Sequence, residues 1–237
     1  MVWNLPCVNS MNPPSCPVTI FITQRCESFY LNRDSTMPTI YDLKPRFQAL
    51  LRPIADRLAI SGITPNQVTI AALTLSIVTG LLIALPGDHR GLLLVVPVVL
   101  LIRMALNAID GMLAREHTMQ TPLGAILNEL GDVVSDAALY LPFALISGVN
   151  AGLVTIVVVL AVVSEMAGVV AVQIGAQRRY DGPLGKSDRA FLFSLMALIL
   201  GLGFKLYAMV NLALAAATVL LVMTIKNRIQ HALQEVS

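Results

Sequence analysis

Residues 91–136 read GLLLVVPVVLLIRMALNAIDGMLAREHTMQTPLGAILNELGDVVSD, and two features of this stretch decide the fold. From Gly91 to Ile102 there is no charged residue, and the apolar character runs on to Arg115. That exceeds the roughly 20 residues a helix needs to cross the hydrocarbon of a bilayer. Within the same helix Arg103, Asn107, Asp110 and Ala114 follow i, i+4, i+7, i+11, which puts them on one face. Past a short loop, Gly124, Asn128, Asp132 and Asp136 recur every fourth residue and share a face of the next helix. Ionisable groups inside an apolar helix are costly when they face lipid, so they turn to the bundle interior and mark a functional path.

Depth follows from the rise of about 1.5 Å per residue, with Arg115 and Gly124 flanking the loop as the zero. Asp110 and Asn128 then lie roughly 6–8 Å in, and Asn107 and Asp132 roughly 12 Å in. With the two helices as antiparallel neighbours, four oxygen-bearing side chains meet at matched levels. Carboxylate and amide oxygens in a cluster suit a hard cation such as Mg²⁺ or Mn²⁺. Such an ion offsets the charge of a pyrophosphate and polarises a phosphoryl group. Asp132 stands where it can accept a proton from an attacking hydroxyl. Small residues at Ala108, Gly111, Ala114, Gly124, Ala125 and Gly131 let the helices, or a substrate, come close. The competing structural reading is a polar helix–helix contact.

The rest of the chain agrees with a membrane setting. Of 237 residues, 56% are hydrophobic and only 13% charged, about half the charge of a soluble domain. The net charge of +2 gives no basic field for nucleic acid. The expected fold class is an all-α membrane protein, with six transmembrane helices preceded by an amphipathic interfacial helix. The predicted spans are about 66–86, 91–115, 124–147, 150–177, 189–205 and 209–226. Before them Leu43, Phe47, Leu50, Leu51, Ile54 and Leu58 recur at helical spacing among Lys44, Arg46, Arg52 and Arg57, the pattern of a helix lying on an anionic membrane face. Most Lys and Arg fall on one side of the predicted bundle, which makes both termini cytosolic.

Residues 1–36 contain Pro6, Pro13, Pro14 and Pro17 and the cysteines Cys7, Cys16 and Cys26. They read as an upstream extension, with Met37 the natural start, or as a disordered cytosolic tail. Placing every cysteine there excludes a disulfide frame or thiolate metal site in the membrane domain. Residues 37–64 form the interfacial helix and its connecting loop in this reading, 65–228 the six-helix domain and 229–237 a cytosolic tail.

The segment Asn107-x-x-Asp110-Gly111-x-x-Ala114-Arg115-x8-Gly124-x3-Asn128-x3-Asp132 resembles the signature of the CDP-alcohol phosphatidyltransferase family. Gly62-Ile-Thr-Pro65-Asn66-Gln67-Val-Thr69 resembles that family's approach to its first span. The resemblance covers roughly 41–226 and is nearest to an uncharacterised bacterial inner-membrane branch. It implies a dimeric six-span enzyme of the bacterial cytoplasmic membrane with a cavity open to the cytosol. An acceptor alcohol would attack the lipid-bearing phosphate of CDP-diacylglycerol, or a similar CDP-alcohol, and release CMP in phospholipid synthesis. It also implies metal ligands at Asn107, Asp110, Asn128 and Asp132, a base at Asp132, and nucleotide contacts at Gly111, Ala114, Arg115 and Gly124.

The sequence departs from that pattern at Asn107 and Asn128, where the family carries Asp. Two negative charges are lost, and the expected site holds one cation tightly and a second weakly or not at all. Glu129 is a neighbour that could restore one charge, although it points about 100° away around the helix. The departure keeps alive an alternative, a catalytically weak or inactive member that binds a lipid or a partner. A transporter is a further alternative, suggested by charges deep in the bundle.

Arg103, Asp136 and Glu165 reach a common level roughly 18–20 Å in, where Arg103 is expected to pair with Asp136, Glu165 or both. Between the fourth and fifth predicted spans, Arg178, Lys186 and Arg189 are candidate contacts for an acceptor that carries phosphate; a positive-inside anchor is the plainer reading. His117 and His231 are expected to be solvated, and His89 to lie on the opposite side of the membrane.

Overall fold

The computed structural model describes residues 40–85 and 90–237. The N-terminal extension with its three cysteines, and His89, lie outside the described residues. Among the described residues the secondary structure is helical throughout. In chain order the helices are α1 (Ile40–Ile60), α2 (Pro65–Ala84), the short α3 (Arg90–Leu93), α4 (Val95–Glu116), α5 (Pro122–Tyr140), α6 (Ala151–Val170), α7 (Lys186–Gly201) and α8 (Tyr207–Val236). Single 3₁₀ turns extend α5 through Leu141–Leu145 and α6 through Ala171–Ile174.

Local chemistry sets the boundaries. Thr64 caps α2: its hydroxyl accepts from the Gln67 backbone N–H, and the Gln67 side chain accepts from the Thr64 N–H at 3.0 Å. This reciprocal pairing satisfies two of the donors left open at a helix start. Thr121 caps α5 in the same way, accepting from the Gly124 N–H at 2.9 Å, with Pro122 in the first turn. Asn150 caps α6 through the Leu153 N–H. Gly175 ends the α6 segment at φ +90°, a conformation open to glycine at little cost.

Four of these segments are long and apolar enough to cross a membrane: Pro65–Ala84, Gly91–Glu116, Ala151–Ile174 and Tyr207–Val236. The expectation of six spans is met only in part by length and hydropathy. The two others fall short for identifiable reasons: α5 carries Glu129, Asp132 and Asp136 within its 19 residues, and α7 has 16 residues. Two boundaries also move. The segment expected to start at Arg189 begins at Lys186, and α8 runs on as helix through residues expected to form a tail.

The helix α2 packs extensively along both α4 and α5, whereas α4 and α5 do not pack closely along their backbones. They meet as the sequence suggested, but through side chains: Arg103 and Asn107 of α4 reach Asp136 and Asp132 of α5 across a space floored by α2. A face of small and polar residues on α2, including Thr69, Ala72, Ser76, Thr79 and Gly80, makes this possible. At Gly80 a Cβ would collide with the Ala138 carbonyl of α5. The main core joins α4, α6, α7 and α8 around Tyr140 and Phe193, whose rings stack at 3.9 Å. A second core packs Leu51 and Ala55 of α1 against Val68, Ile109, Met112 and Leu113. Arg52 of α1 grips Glu116 with two hydrogen bonds of 3.0 Å, and Asp56 meets His117 at 3.1 Å. His117, expected to be solvated and not a ligand, keeps 29% side-chain exposure beside this partner.

Candidate functional site

The starts of α2 and α5 and the end of α4 enclose a cleft of about 590 Å³. Asn107, Asp110, Gly111, Ala114, Arg115, Gly124 and Asn128 all line it. Seven of the eight residues singled out for metal and nucleotide therefore share one cavity. Of the small residues, Gly111, Ala114, Gly124 and Ala125 line it, while Ala108 packs on the second core and Gly131 faces Thr69. At Gly124 a Cβ would stand 2.6 Å from Oδ1 of Asn66, so glycine lets the starts of α2 and α5 approach. Asp110 is buried at 5% exposure, and its Oδ2 accepts from the Thr69 hydroxyl at 2.8 Å.

Asp132 lies one level deeper. Its Oδ1 accepts from Asn107 Nδ2 at 2.9 Å, which joins the two residues predicted to share a depth. The same oxygen is in ion-pair contact with the Lys186 ammonium, and Arg103 approaches it to 3.6 Å. Its Oδ2 takes part in none of these interactions. Below, Arg103 pairs with Asp136 and donates to the Asp132 backbone carbonyl at 2.9 Å. Arg189 then bridges Asp136 at 3.1 Å and Glu165 at 2.9 Å. Arg228 of α8 lies 3.4 Å from Glu165 and donates to the backbone carbonyls of Ser164 and Asp181. Arg103 therefore pairs with Asp136 as expected, while Glu165 is served by arginines of later segments.

The three basic residues assigned to an acceptor divide. Lys186 is at the site, against Asp132. Arg178 pairs with Glu129, lies 3.6 Å from Glu165, and stands 4.3 Å from the Tyr180 ring centroid. Burial opposes its charge, but Glu129 and Tyr180 outweigh burial and raise its pKa above the ordinary arginine value. Glu129 is thereby committed to Arg178 and does not restore the charge missing at Asn128. Arg189 faces away from any surface: it is 1% exposed, and its two carboxylate partners hold it in the core. Starting α7 three residues earlier than expected moves Arg189 from a loop edge to an inward helix position. His231 approaches Asp181 to 3.5 Å, and its carbonyl accepts from Arg179.

The structure also brings Asn66 and Thr69 to the cleft and Arg228 to Glu165, none of which the sequence marks as site residues. Asn66 and Thr69 stand in the quoted approach to the first span, and their polarity at the head of an apolar helix was the available signal. Arg228 looked like one more positive-inside anchor, because nothing local shows that α8 continues past it.

Among the described residues, no three His, Cys, Asp or Glu side chains cluster to hold a metal ion. Four oxygen-bearing candidates are reached only by counting the amides of Asn107 and Asn128 with Asp110 and Asp132, and Asp132 stands outside the cleft lining, joined to it through Asn107. Asn107 fits such a role: its amide nitrogen is spent on Asp132, and its carbonyl oxygen is left as a hard donor.

Apolar helices of membrane-crossing length around an oxygen-lined cleft define a multi-pass membrane protein with a polar site set into its bundle. The model of the CDP-alcohol phosphatidyltransferase family matches residues 62–225, and the chain belongs to that family. Inner membrane protein YnbA of Escherichia coli strain K12 is 48% identical over 195 residues, 82% of this chain and 96% of that protein. Among solved structures, phosphatidylinositol phosphate synthase (PgsA1) of Mycobacterium tuberculosis with CDP-DAG bound has a TM-score of 0.66 at 22% identity, covering 78% of this chain and 94% of that one. The same synthase in complex with manganese and citrate gives 0.65 at 22% identity, over 77% and 88%.

Proposed function

We propose that the chain transfers a phosphatidyl group from CDP-diacylglycerol, or a similar CDP-alcohol, to an acceptor hydroxyl and releases CMP, in phospholipid synthesis at a bacterial inner membrane. The observation that carries this reading is the convergence of Asn107, Asp110, Gly111, Ala114, Arg115, Gly124 and Asn128 on one cleft. Membership of the family supports the reaction class, and the inner-membrane relative supports the compartment. The PgsA1 structures with CDP-DAG and with manganese support a nucleotide lipid donor and a divalent ion.

Each residue has a physical task. Gly111, Ala114 and Gly124 leave room for the nucleotide, and the exposed Arg115 offers a guanidinium to its phosphates. Asp110, Asp132, Asn107 and Asn128 would hold Mg²⁺ or Mn²⁺, which supplies charge neutralisation for the diphosphate and polarises the reacting phosphoryl group. The acceptor oxygen forms a bond to the phosphorus that carries diacylglycerol. The bond from that phosphorus to the bridging oxygen breaks, and CMP leaves with the electron pair. Oδ2 of Asp132 takes the hydroxyl proton, while Asn107 and Lys186 hold Oδ1 in place. Arg178 and Lys186 are the acceptor-side cations. We further propose that α5 and α7 complete six spans, that α1 lies on the cytosolic membrane face with Leu50 and Ile54 exposed to lipid, and that the protein is a homodimer.

The test is CMP release by the purified protein in detergent, with CDP-diacylglycerol, Mg²⁺ or Mn²⁺ and a panel of alcohols. Release that depends on the alcohol and is lost in Asp110→Asn supports the transferase. Asn107 and Asn128 favour one second reading, an inactive member that binds lipid or a partner. No release by the wild type, with activity appearing in Asn107→Asp/Asn128→Asp, would establish it.

A further inference from the structure

The Lys186 ammonium does not hang from a loose loop. Lys186 is the first residue of α7, and Arg189 lies three residues on, one turn along the same side of the helix. Arg189 is pinned at 1% exposure between Asp136 and Glu165. Just before the helix, the Leu184 N–H donates to Thr224 Oγ1 at 3.1 Å, and the Gly185 N–H donates to Asp188 at 2.8 Å. The start of α7 is therefore fixed on both sides of Lys186, and its side chain is delivered to Oδ1 of Asp132 at one-third exposure. This is a built ion pair inside the oxygen set, at the carboxylate that a metal would share.

The same site has two neutral amides, Asn107 and Asn128, and Glu129 is committed to Arg178. Asp110, Asp132 and the Lys186 ammonium sum to a single negative charge; Arg103 is balanced by Asp136, and Arg115 on the cleft wall is left for the phosphates of the substrate. That charge suits one divalent cation and is ill-matched to two, and an ammonium already on Asp132 repels any ion that approaches the same oxygen. We propose that Lys186 is a built-in substitute for a second metal ion: a fixed cation on Asp132 that makes this a one-metal site. The inference rests on the reading of the Asp110 cleft and the adjoining Asp132 as a metal-dependent transfer site. It assigns a cause, within this chain, to weak or absent binding of a second ion.

The experiment is Mn²⁺ binding to the full-length protein in detergent, read as stoichiometry and affinity by calorimetry and by the loss of the free-ion electron paramagnetic resonance signal. The wild type is expected to bind one Mn²⁺. Lys186→Met removes the fixed charge and should tighten that ion by about tenfold or admit a second. Lys186→Arg keeps the charge and should bind like the wild type, which separates charge from disturbed folding. The triple variant Asn107→Asp/Asn128→Asp/Lys186→Met should bind two ions. Two ions on the wild type, or identical binding by Lys186→Met and wild type, would overturn the role of Lys186. No Mn²⁺ on either the wild type or the triple variant would instead overturn the metal site itself.

Discussion

A single hydroxyl does much to aim Asp110. Its Oδ2 is held by Thr69, which fixes the orientation of a carboxylate that lines the cleft. Groups that orient a ligand in this way usually matter about 10–100-fold for affinity or rate. Thr69→Val should lower Mn²⁺ affinity and CMP release by that range, with Thr69→Ser close to wild type; equal activity of the valine and serine variants would remove Thr69 from the site. Asp132→Asn should cost about 10²–10⁴-fold in turnover, the usual worth of a positioned base, with a smaller change in the KM of the nucleotide donor. At this scale the sequence was informative. The i, i+4, i+7 spacing exposed the shared faces, and the depth estimate correctly matched Asn107 with Asp132, which meet at 2.9 Å. The partners of Glu129, Lys186 and Arg189 were not legible, because each comes from a segment distant in sequence and its direction depends on where α7 begins.

Between elements, buried charge fixes the relation of five helices. Arg103 ties α4 to α5, Arg189 ties α7 to α5 and α6, and Arg228 ties α8 to α6. Removing one partner of such a network strands the others in a low dielectric. Arg189→Met should therefore destabilise the protein by about 3–5 kcal/mol. The readout is survival of the monodisperse gel-filtration peak after heating, and pairing the change with Glu165→Gln should recover part of the loss. The close passage of α2 over α5 makes a separate prediction. Gly80→Val drives a side chain into the Ala138 carbonyl and should abolish the folded peak, whereas Gly91→Ala, with open space around it, should leave the peak unchanged. Helix existence was easy to read from apolar runs, but the packing was not. Sequence order makes α4 and α5 look closely packed, while the small polar face of α2 packs against both and leaves them to meet through long polar side chains.

For the molecule as a whole, the choice between four and six crossings turns on α5 and α7. By length and hydropathy α5 falls short because of the charged residues it carries and α7 because it has 16 residues. If both cross, Ser187 and Lys205 face opposite sides of the membrane. In a Ser187→Cys variant an impermeant maleimide should react only from the cytosolic side, and in Lys205→Cys only from the outside. Replacing the three N-terminal cysteines gives the thiol-free background for the experiment. Labelling of both positions from one side would leave α7 as a re-entrant segment. The contact between Arg228 and the backbone of Ser164 spans 64 residues of chain. While the protein is being made, Glu165 thus leaves the ribosome well before the arginine that completes its surroundings. Arg178 and Arg189 emerge first and already give Glu165 its partners, so Arg228 brings a third guanidinium to a carboxylate that is in place, and α8 docks on a charge assembled before it.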